Sequence, residues 1–528
     1  MDLFAPATTR RRFLRLLGQG ALAAALPAPL RAADADTVTL SILHTTDLHG
    51  HILPTTDYAG NGDLGGLARC ASQIRQWRRD NPNSLLLDIG DVYQGTELGL
   101  RTRGATMIRC LNALNYDAWV VGNHEFDWGP DAFATSVAAS QMPVLSGNAR
   151  VEGKPLGLAT GPLAKIRPWL IKEIAGIRLA VLSATTPALT SWLPPENLAG
   201  FEVLDPIEAL RPLLRQIAAA KPDAIVLAGH MGLTRIDDIA NRVGALTREF
   251  PQLAVYLGGH THQNHPSVIV NNVLYTQADH YGIYAGRVDL TFDRASRKLI
   301  HRAAITVHMD QQIPLDPLVL SLAHDDLAAA DHILAQPIGE LREAFGIDSS
   351  FGKPSDVERL IASGMIAALR QKGIEVDAVM HGLFDKEHPF TPGAKTIADA
   401  WTVLPYENQI VTVDLAYADL LAFARELGNA SLDPRNLMGL RVAGAASGKT
   451  FRVDALLSTD GAALPAKPAY RVALNSYDSQ SAGQRFLTLG RLVAQSSNRR
   501  VLHAIQTRDA LIDFFVVRQK VSRASLLV

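Results

Sequence analysis

Between Thr37 and about Thr306, compact apolar runs rich in β-branched residues alternate with stretches whose apolar positions recur every three or four residues. The runs Thr37–Leu43, Ser84–Ile89, Ala118–Val121, Arg178–Ser183, Ala224–Leu227 and Leu253–Leu257 end at turn or polar residues, which predicts buried strands. The recurrent stretches Leu64–Arg79, Met107–Leu114, Pro206–Ala219 and Ile236–Phe250 predict helices covering a sheet. Alternation of the two predicts an α/β layered domain. A polar, alanine-rich segment from Asp316 to about Ala335 has Pro314 and Pro317 near its start and Pro337 beyond its end, so it reads as an interdomain helix. Beyond it the pattern is α+β, with helices near Asp356–Lys372 and Tyr417–Leu427 and strands near Gln409–Leu415 and Tyr470–Leu474. No internal repeat is visible.

A chain of 528 residues exceeds one ordinary core, which fits two domains. With 47% hydrophobic and 20% charged residues it is globular, and a net charge of -1 offers no general attraction to nucleic-acid backbone or anionic lipid. A small phosphorylated partner suits this balance better than a nucleic-acid polymer. At the N-terminus, Arg10, Arg11 and Arg12 precede Phe13 and Leu14, followed by a short alanine-rich apolar stretch. The segment resembles a twin-arginine signal peptide spanning 1–35, which implies the twin-arginine export machinery as a partner and a periplasmic or secreted protein. No later segment is apolar enough for a membrane helix, so no stable membrane insertion is expected. The two cysteines, Cys70 and Cys110, exclude a disulfide framework and are expected as buried free thiols. The resulting partition is 36–312 for the first domain, 313–336 for the linker helix and 337–528 for the second domain.

The chemistry lies where polar residues follow strands, at the carboxyl ends where an open α/β sheet builds sites. Asp47-Leu48-His49 can turn a carboxylate and an imidazole to one side. Asp91 after Gly90 can bridge two cations. Gly122-Asn123-His124-Glu125-Phe126-Asp127 gathers an amide, an imidazole and two carboxylates behind a buried strand, where each polar group needs a partner. Gly229-His230 and Gly259-His260-Thr261-His262 complete five such positions in one register.

This ordered set resembles the calcineurin-like metallophosphoesterases. Thr46-Asp-Leu-His-Gly50, Asp63-Leu-Gly-Gly66 and Gly122-Asn-His-Glu-Phe-Asp127 are similar in particular to the secreted 5′-nucleotidase and 2′,3′-cyclic-nucleotide phosphodiesterase branch. The resemblance implies a four-layer α/β/β/α first domain and an α+β second domain that holds substrate. It implies two divalent metal ions, Mn, Zn, Fe or Co, with Asp47, His49 and His262 on one, Asn123, His230 and His260 on the other, and Asp91 on both. It implies His124 as catalytic histidine, Asp127 as its orienting carboxylate, and hydrolysis of nucleotide phosphate monoesters by hydroxide held on the metals.

Pro405-Tyr406-Glu407-Asn408 and Asn475-Ser476-Tyr477 resemble the family's base-stacking segments, which makes Tyr406, Asn408 and Tyr477 substrate-binding expectations. Two departures stand out: Met380-His-Gly-Leu-Phe-Asp-Lys386 carries no phosphate-gripping Arg, and Asp478-Ser-Gln-Ser-Ala-Gly483 lacks paired glycines followed by Asp. A 2′,3′-cyclic-nucleotide 2′-phosphodiesterase/3′-nucleotidase is therefore the alternative reading. A sulfur-oxidation thiosulfohydrolase is more distant, because such relatives usually replace the Asn123-His124 pair. An exported nucleotide-binding protein is the non-enzymatic alternative.

Overall fold

The computed structural model describes residues 36–429, 434–448 and 450–528; the signal-peptide segment 1–35 lies outside them. The first domain is built on two six-stranded sheets. In one, the parallel strands Thr37–Thr45, Ser84–Asp88, Ala118–Val120 and Val144–Leu145 are extended by the antiparallel pair Tyr284–Asp293 and Leu299–His308. In the other, Ile177–Thr185, Ala224–His230, Val255–Gly258 and Val273–Ala278 run parallel, edged by Trp169–Ile174 and Asn264–Val270.

Strand alternation explains why the sheets stack. Leu40, Ile42, Leu85, Leu87, Val181 and Val226 share one buried cluster between them, because every second side chain points to the same face. The opposite faces meet helices. Leu43 and Leu86 pack with Ile74, Met107 and Ile108, while Leu182 and Leu227 pack with Leu210, Leu214 and Leu246. The order is thus α/β/β/α, as the family resemblance implies.

Predicted strands fall where they were expected, with no end shifted by more than three residues. The helix expected over Ile236–Phe250 is shorter, Val243–Glu249. The Asp237 carboxylate accepts the Gly244 and Ala245 amides, and Asp238 accepts those of Ala240 and Asn241. Side-chain-to-backbone bonds of this kind compete with a helical turn. Helix Pro317–Leu334, capped by Asp316, buries Val319, Ala323 and Ala330 in the first domain's helical layer.

The second part centres on a four-stranded sheet of Ala378–Met380, Tyr470–Asn475, Gln409–Leu415 and Arg500–Gln506, joined by helices that include Asp356–Gln371, Tyr417–Asn429 and Thr507–Arg518. Cys70 and Cys110 are both free and buried. No helix among the described residues is long and apolar enough to cross a membrane.

Candidate metal centre

Adjacent parallel strands deliver the loops of Asp47 and Asp91 side by side, and backbone bonds zip them together. Asp47 N donates to Gly90 O, His49 N to Asp91 O and Gly50 N to Val92 O, each at 2.9 Å. Asp47, His49, Asp91, His260 and His262 all have φ between 47° and 75°. Left-handed backbone costs a non-glycine residue about 1–2 kcal/mol and persists where surrounding bonds fix it, most often at functional sites. Gly90 has φ 100°, and a Cβ there would stand 2.7 Å from Gly122 N and 2.8 Å from His230 Nδ1. Glu125 closes the cradle from below, accepting the amides of Asp91 at 3.0 Å, Val92 at 2.8 Å and Gly122 at 2.6 Å.

All seven expected ligands converge here. Asp47, His49 and His262 form one group and Asp91, His230 and His260 another, with ligating atoms in each within 4.8 Å of one another. His49 Nε2 and His262 Nε2 face each other at 3.0 Å. His230 Nε2 stands 2.9 Å from Asp91 Oδ2 yet has no hydrogen-bond partner. Asn123 Oδ1 lies 2.9 Å from His260 Nδ1. The remaining ring nitrogens are occupied: His49 Nδ1 donates to Gln94 O at 2.8 Å and His230 Nδ1 to Ile89 O at 2.7 Å. Such bonds fix the tautomer that leaves Nε2 as a lone pair, the arrangement that suits metal-ligating histidine. Imidazoles with carboxylate and amide oxygen fit divalent transition metals.

Electrostatics point the same way. Burial pushes the Asp47 carboxyl up, but His230 and His262 outweigh it and bring it down to about 2. Asp91 is likewise held well below its ordinary value against burial, by His230 and His124. Two buried carboxylates kept ionised create a strong demand for cationic charge at their shared face. Burial, then the neighbouring His230, pushes His260 down to about 3.

His124 also lies in a third group, with His49 and Asp91, whose ligand-type atoms stand within 4.8 Å of one another, but it is tied to a carboxylate of its own. Its backbone amide donates to Asp91 Oδ1 at 2.8 Å, and its Nδ1 is paired with Asp127 Oδ2 at 2.6 Å. Burial lowers its affinity for a proton, but Asp127 and Asp91 prevail and raise its pKa to about 10. A protonated imidazole beside the paired carboxylates is the form that can donate.

The second part contributes from above. The Tyr406 ring stacks on His124 with centroids 6.0 Å apart and 14° between planes, and Phe384 lies 5.1 Å from the same ring at a 53° tilt. Asn408, expected as a substrate contact, accepts Ser476 Oγ at 3.1 Å and Tyr477 N at 3.2 Å, tying together the two tyrosine-bearing segments. In the segment lacking an Arg, Lys386 is exposed, and a guanidinium arrives from elsewhere: a Cβ on Gly382 would stand 2.2 Å from Arg435 Cζ. That group is ion-paired with buried Asp478, Nε to Oδ2 at 3.4 Å.

Three residues escaped the sequence reading. Tyr58 hydroxyl is hydrogen-bonded to His262 Nδ1 at 2.7 Å. Gln94 reaches across to Glu407. Trp192 lies 5.0 Å from the His260 ring, and its Nε1 would stand 2.8 Å from a Cβ on Gly483. Each stands six or more residues beyond the end of a strand and meets the site through tertiary contact.

Residues 40–264 match the family model described as calcineurin-like phosphoesterase. A human protein named 5′-nucleotidase is 30% identical over 327 residues, 57% of this chain and 54% of its own length; the chain spans about half the length of the curated relatives it matches. A Thermus thermophilus 5′-nucleotidase precursor superposes with a TM-score of 0.70 at 22% identity, covering 92% of this chain and 97% of its own. A sulfate thiohydrolase from the same genus has a TM-score of 0.63 at 18% identity, covering 91% and 94%. The two-sheet domain with its ligand-bearing loops thus matches, over residues 40–264, a calcineurin-like phosphoesterase domain, and the chain as a whole shares the fold of a 5′-nucleotidase precursor.

Proposed function

We propose that the protein is a two-metal hydrolase of nucleotide phosphate monoesters. The observation that carries this is the convergence of seven ligand-type side chains on two adjacent points, with the outward ring nitrogens of His49 and His230 bound to carbonyls. Asp47, His49 and His262 would hold one divalent cation, Asn123, His230 and His260 the other, and Asp91 both. Cations bound there acidify water and offset charge on phosphoryl oxygens. The chain's own groups supply the rest. His124 Nε2 gives its proton to the leaving alkoxide as the ester P–O bond breaks, while Asp127 accepts Nδ1–H and keeps the ring aimed. Water oxygen ends on phosphorus, and the products are orthophosphate and an alcohol. Tyr406 and Tyr477 would stack the base, tolerant of its identity.

The likeness to a sulfate thiohydrolase means that fold alone does not select the ester; the relative named 5′-nucleotidase supports the nucleotide reading. The test is orthophosphate release from 5′-, 3′- and 2′,3′-cyclic nucleotides by protein reloaded with Mn or Zn. Preference for 5′-monophosphates is expected. No turnover on any ester, or full activity retained by Asn123→Ala, would sink the assignment, and preference for the cyclic esters would replace it with the diesterase reading.

We also infer export to the periplasm by the twin-arginine route, supported by Thr9-Arg-Arg-Arg-Phe-Leu-Arg15. Arg10→Lys with Arg11→Lys is expected to leave the protein in the cytoplasmic fraction; unchanged periplasmic recovery would contradict it.

A further inference from the structure

The tripeptide Tyr406-Glu407-Asn408 sends its three side chains to three places. Tyr406 lies on His124, and Asn408 fastens the Tyr477 segment. Glu407, with a side chain 4% exposed, faces the first domain. Its Oε2 accepts Gln94 Nε2 at 2.9 Å, and its Oε1 accepts Arg508 Nη2 at 3.0 Å. Arg508 also donates Nη1 to Leu404 O at 2.9 Å and lies 3.3 Å above the Trp401 ring.

Gln94 is fully buried, three residues beyond Asp91, and its carbonyl is the group that takes His49 Nδ1. One residue therefore touches a metal-type ligand through its backbone and the tyrosine-bearing loop through its side chain. A carboxylate this deep is tolerated only when its oxygens are satisfied, and Gln94 satisfies one of the two. The bond runs between the same two bodies that the substrate must span, phosphate end and ring end.

We propose that Gln94 and Glu407 are positioning residues that fix the reach from the metal centre to the Tyr406–Tyr477 clamp, and thereby set the preference for ring-bearing phosphate esters over ringless ones. The inference deepens the proposed function and rests on it. A clamp displaced from the centre loses the stacking contribution of the ring while a small ester still meets the ligand cluster, so selectivity changes more than basal turnover.

The experiment compares kcat/KM for 5′-AMP with that for glycerol 2-phosphate, alongside calorimetric binding of adenosine to the metal-reloaded protein. Gln94→Glu sets two carboxylates face to face. It is expected to lower the ratio of the two kcat/KM values about ten-fold and to weaken adenosine binding in step. Adding Glu407→Gln reverses the polarity of the same hydrogen bond, since the new amide donates to position 94 and its oxygen still accepts from Arg508. The exchanged pair is expected to recover most of the ratio and of the adenosine affinity. An unchanged ratio in Gln94→Glu, or an exchanged pair no better than the single variant, overturns the positioning role. A wild-type protein that treats both esters alike and does not bind adenosine overturns the nucleotide reading instead, and the proposal with it.

Discussion

At the scale of single residues, the proposed division of labour separates ligands from the proton donor. His124→Ala is expected to lower kcat by about 10²–10⁴ with Mn affinity largely kept, since the ring is held by Asp127 and not by the ligand group. Asn123→Ala is expected to weaken Mn binding by calorimetry, because Asn123 Oδ1 stands among the ligands. Equal loss of metal in both variants would show that His124 is a ligand after all.

His44 makes a different kind of statement. It shares the inter-sheet face of Leu40 and Ile42, lies opposite Gly286, and neither ring nitrogen has a hydrogen-bond partner. Burial pushes its pKa from 6.5 down to about 4. As pH falls from 6.5 toward 4 the unfolded chain takes up a proton that the folded chain refuses, so stability is full above this window and declines within it. The decline from this one group is about 3 kcal/mol. Urea unfolding at pH 7.5 and 4.5 is expected to show a smaller difference in His44→Leu than in the wild type.

The candidate ligands were legible as a set, because polar residues recur shortly after five apolar runs and their order resembles a family pattern. Tyr58, Gln94 and Trp192 were not, since no local pattern distinguishes an aromatic or amide in a loop that later folds onto the site. Arg435 illustrates the same limit from the other side: the guanidinium absent from the 380–386 segment stands beside Gly382 by way of a chain segment fifty residues on.

At the scale of elements, strand ends were readable from hydrophobic runs, and helix Pro206–Ala219 was readable to the residue because Asp205 caps it and Pro206 begins it. Residues 236–242 were misread because Ile236 fits the helical period, whereas the Asp237 and Asp238 side chains bond the backbone locally and leave Ile236 74% exposed. The elements that matter most for the site are the zipped loops at Asp47–Gly50 and Gly90–Val92, which no periodicity reports. Glu125 is their shared anchor. Glu125→Gln replaces one acceptor of three amides by a donor and is expected to cost about 2 kcal/mol of stability and to weaken metal binding. A variant with unchanged unfolding midpoint and unchanged Mn affinity would remove Glu125 from that role.

At the scale of the whole molecule, the two parts meet through contacts of unequal weight. Arg500 grips Glu196 with two bonds, at 2.6 and 3.0 Å, but the Glu196 side chain is 48% exposed. An ion pair in water contributes little, so Glu196→Gln is expected to change stability by less than about 1 kcal/mol and to leave esterase selectivity alone. The Gln94–Glu407 bond is largely shielded, its carboxylate side chain only 4% exposed, and geometry there is expected to matter more. An α/β layered first domain was readable from the alternation of strand and helix, and its four-layer order from the family resemblance. How the second part sits on the first was not, since it depends on pairs drawn from both.

Trp192 gives this arrangement an optical handle. Its indole lies beside His260 on one side and the Gly483 turn of the second part on the other. A paramagnetic ion next to an indole quenches its emission, so the difference spectrum between wild type and Trp192→Phe is expected to gauge occupancy at the metal position proposed for His260. The gauge reads titration with Mn in real time, without a label and without a substrate.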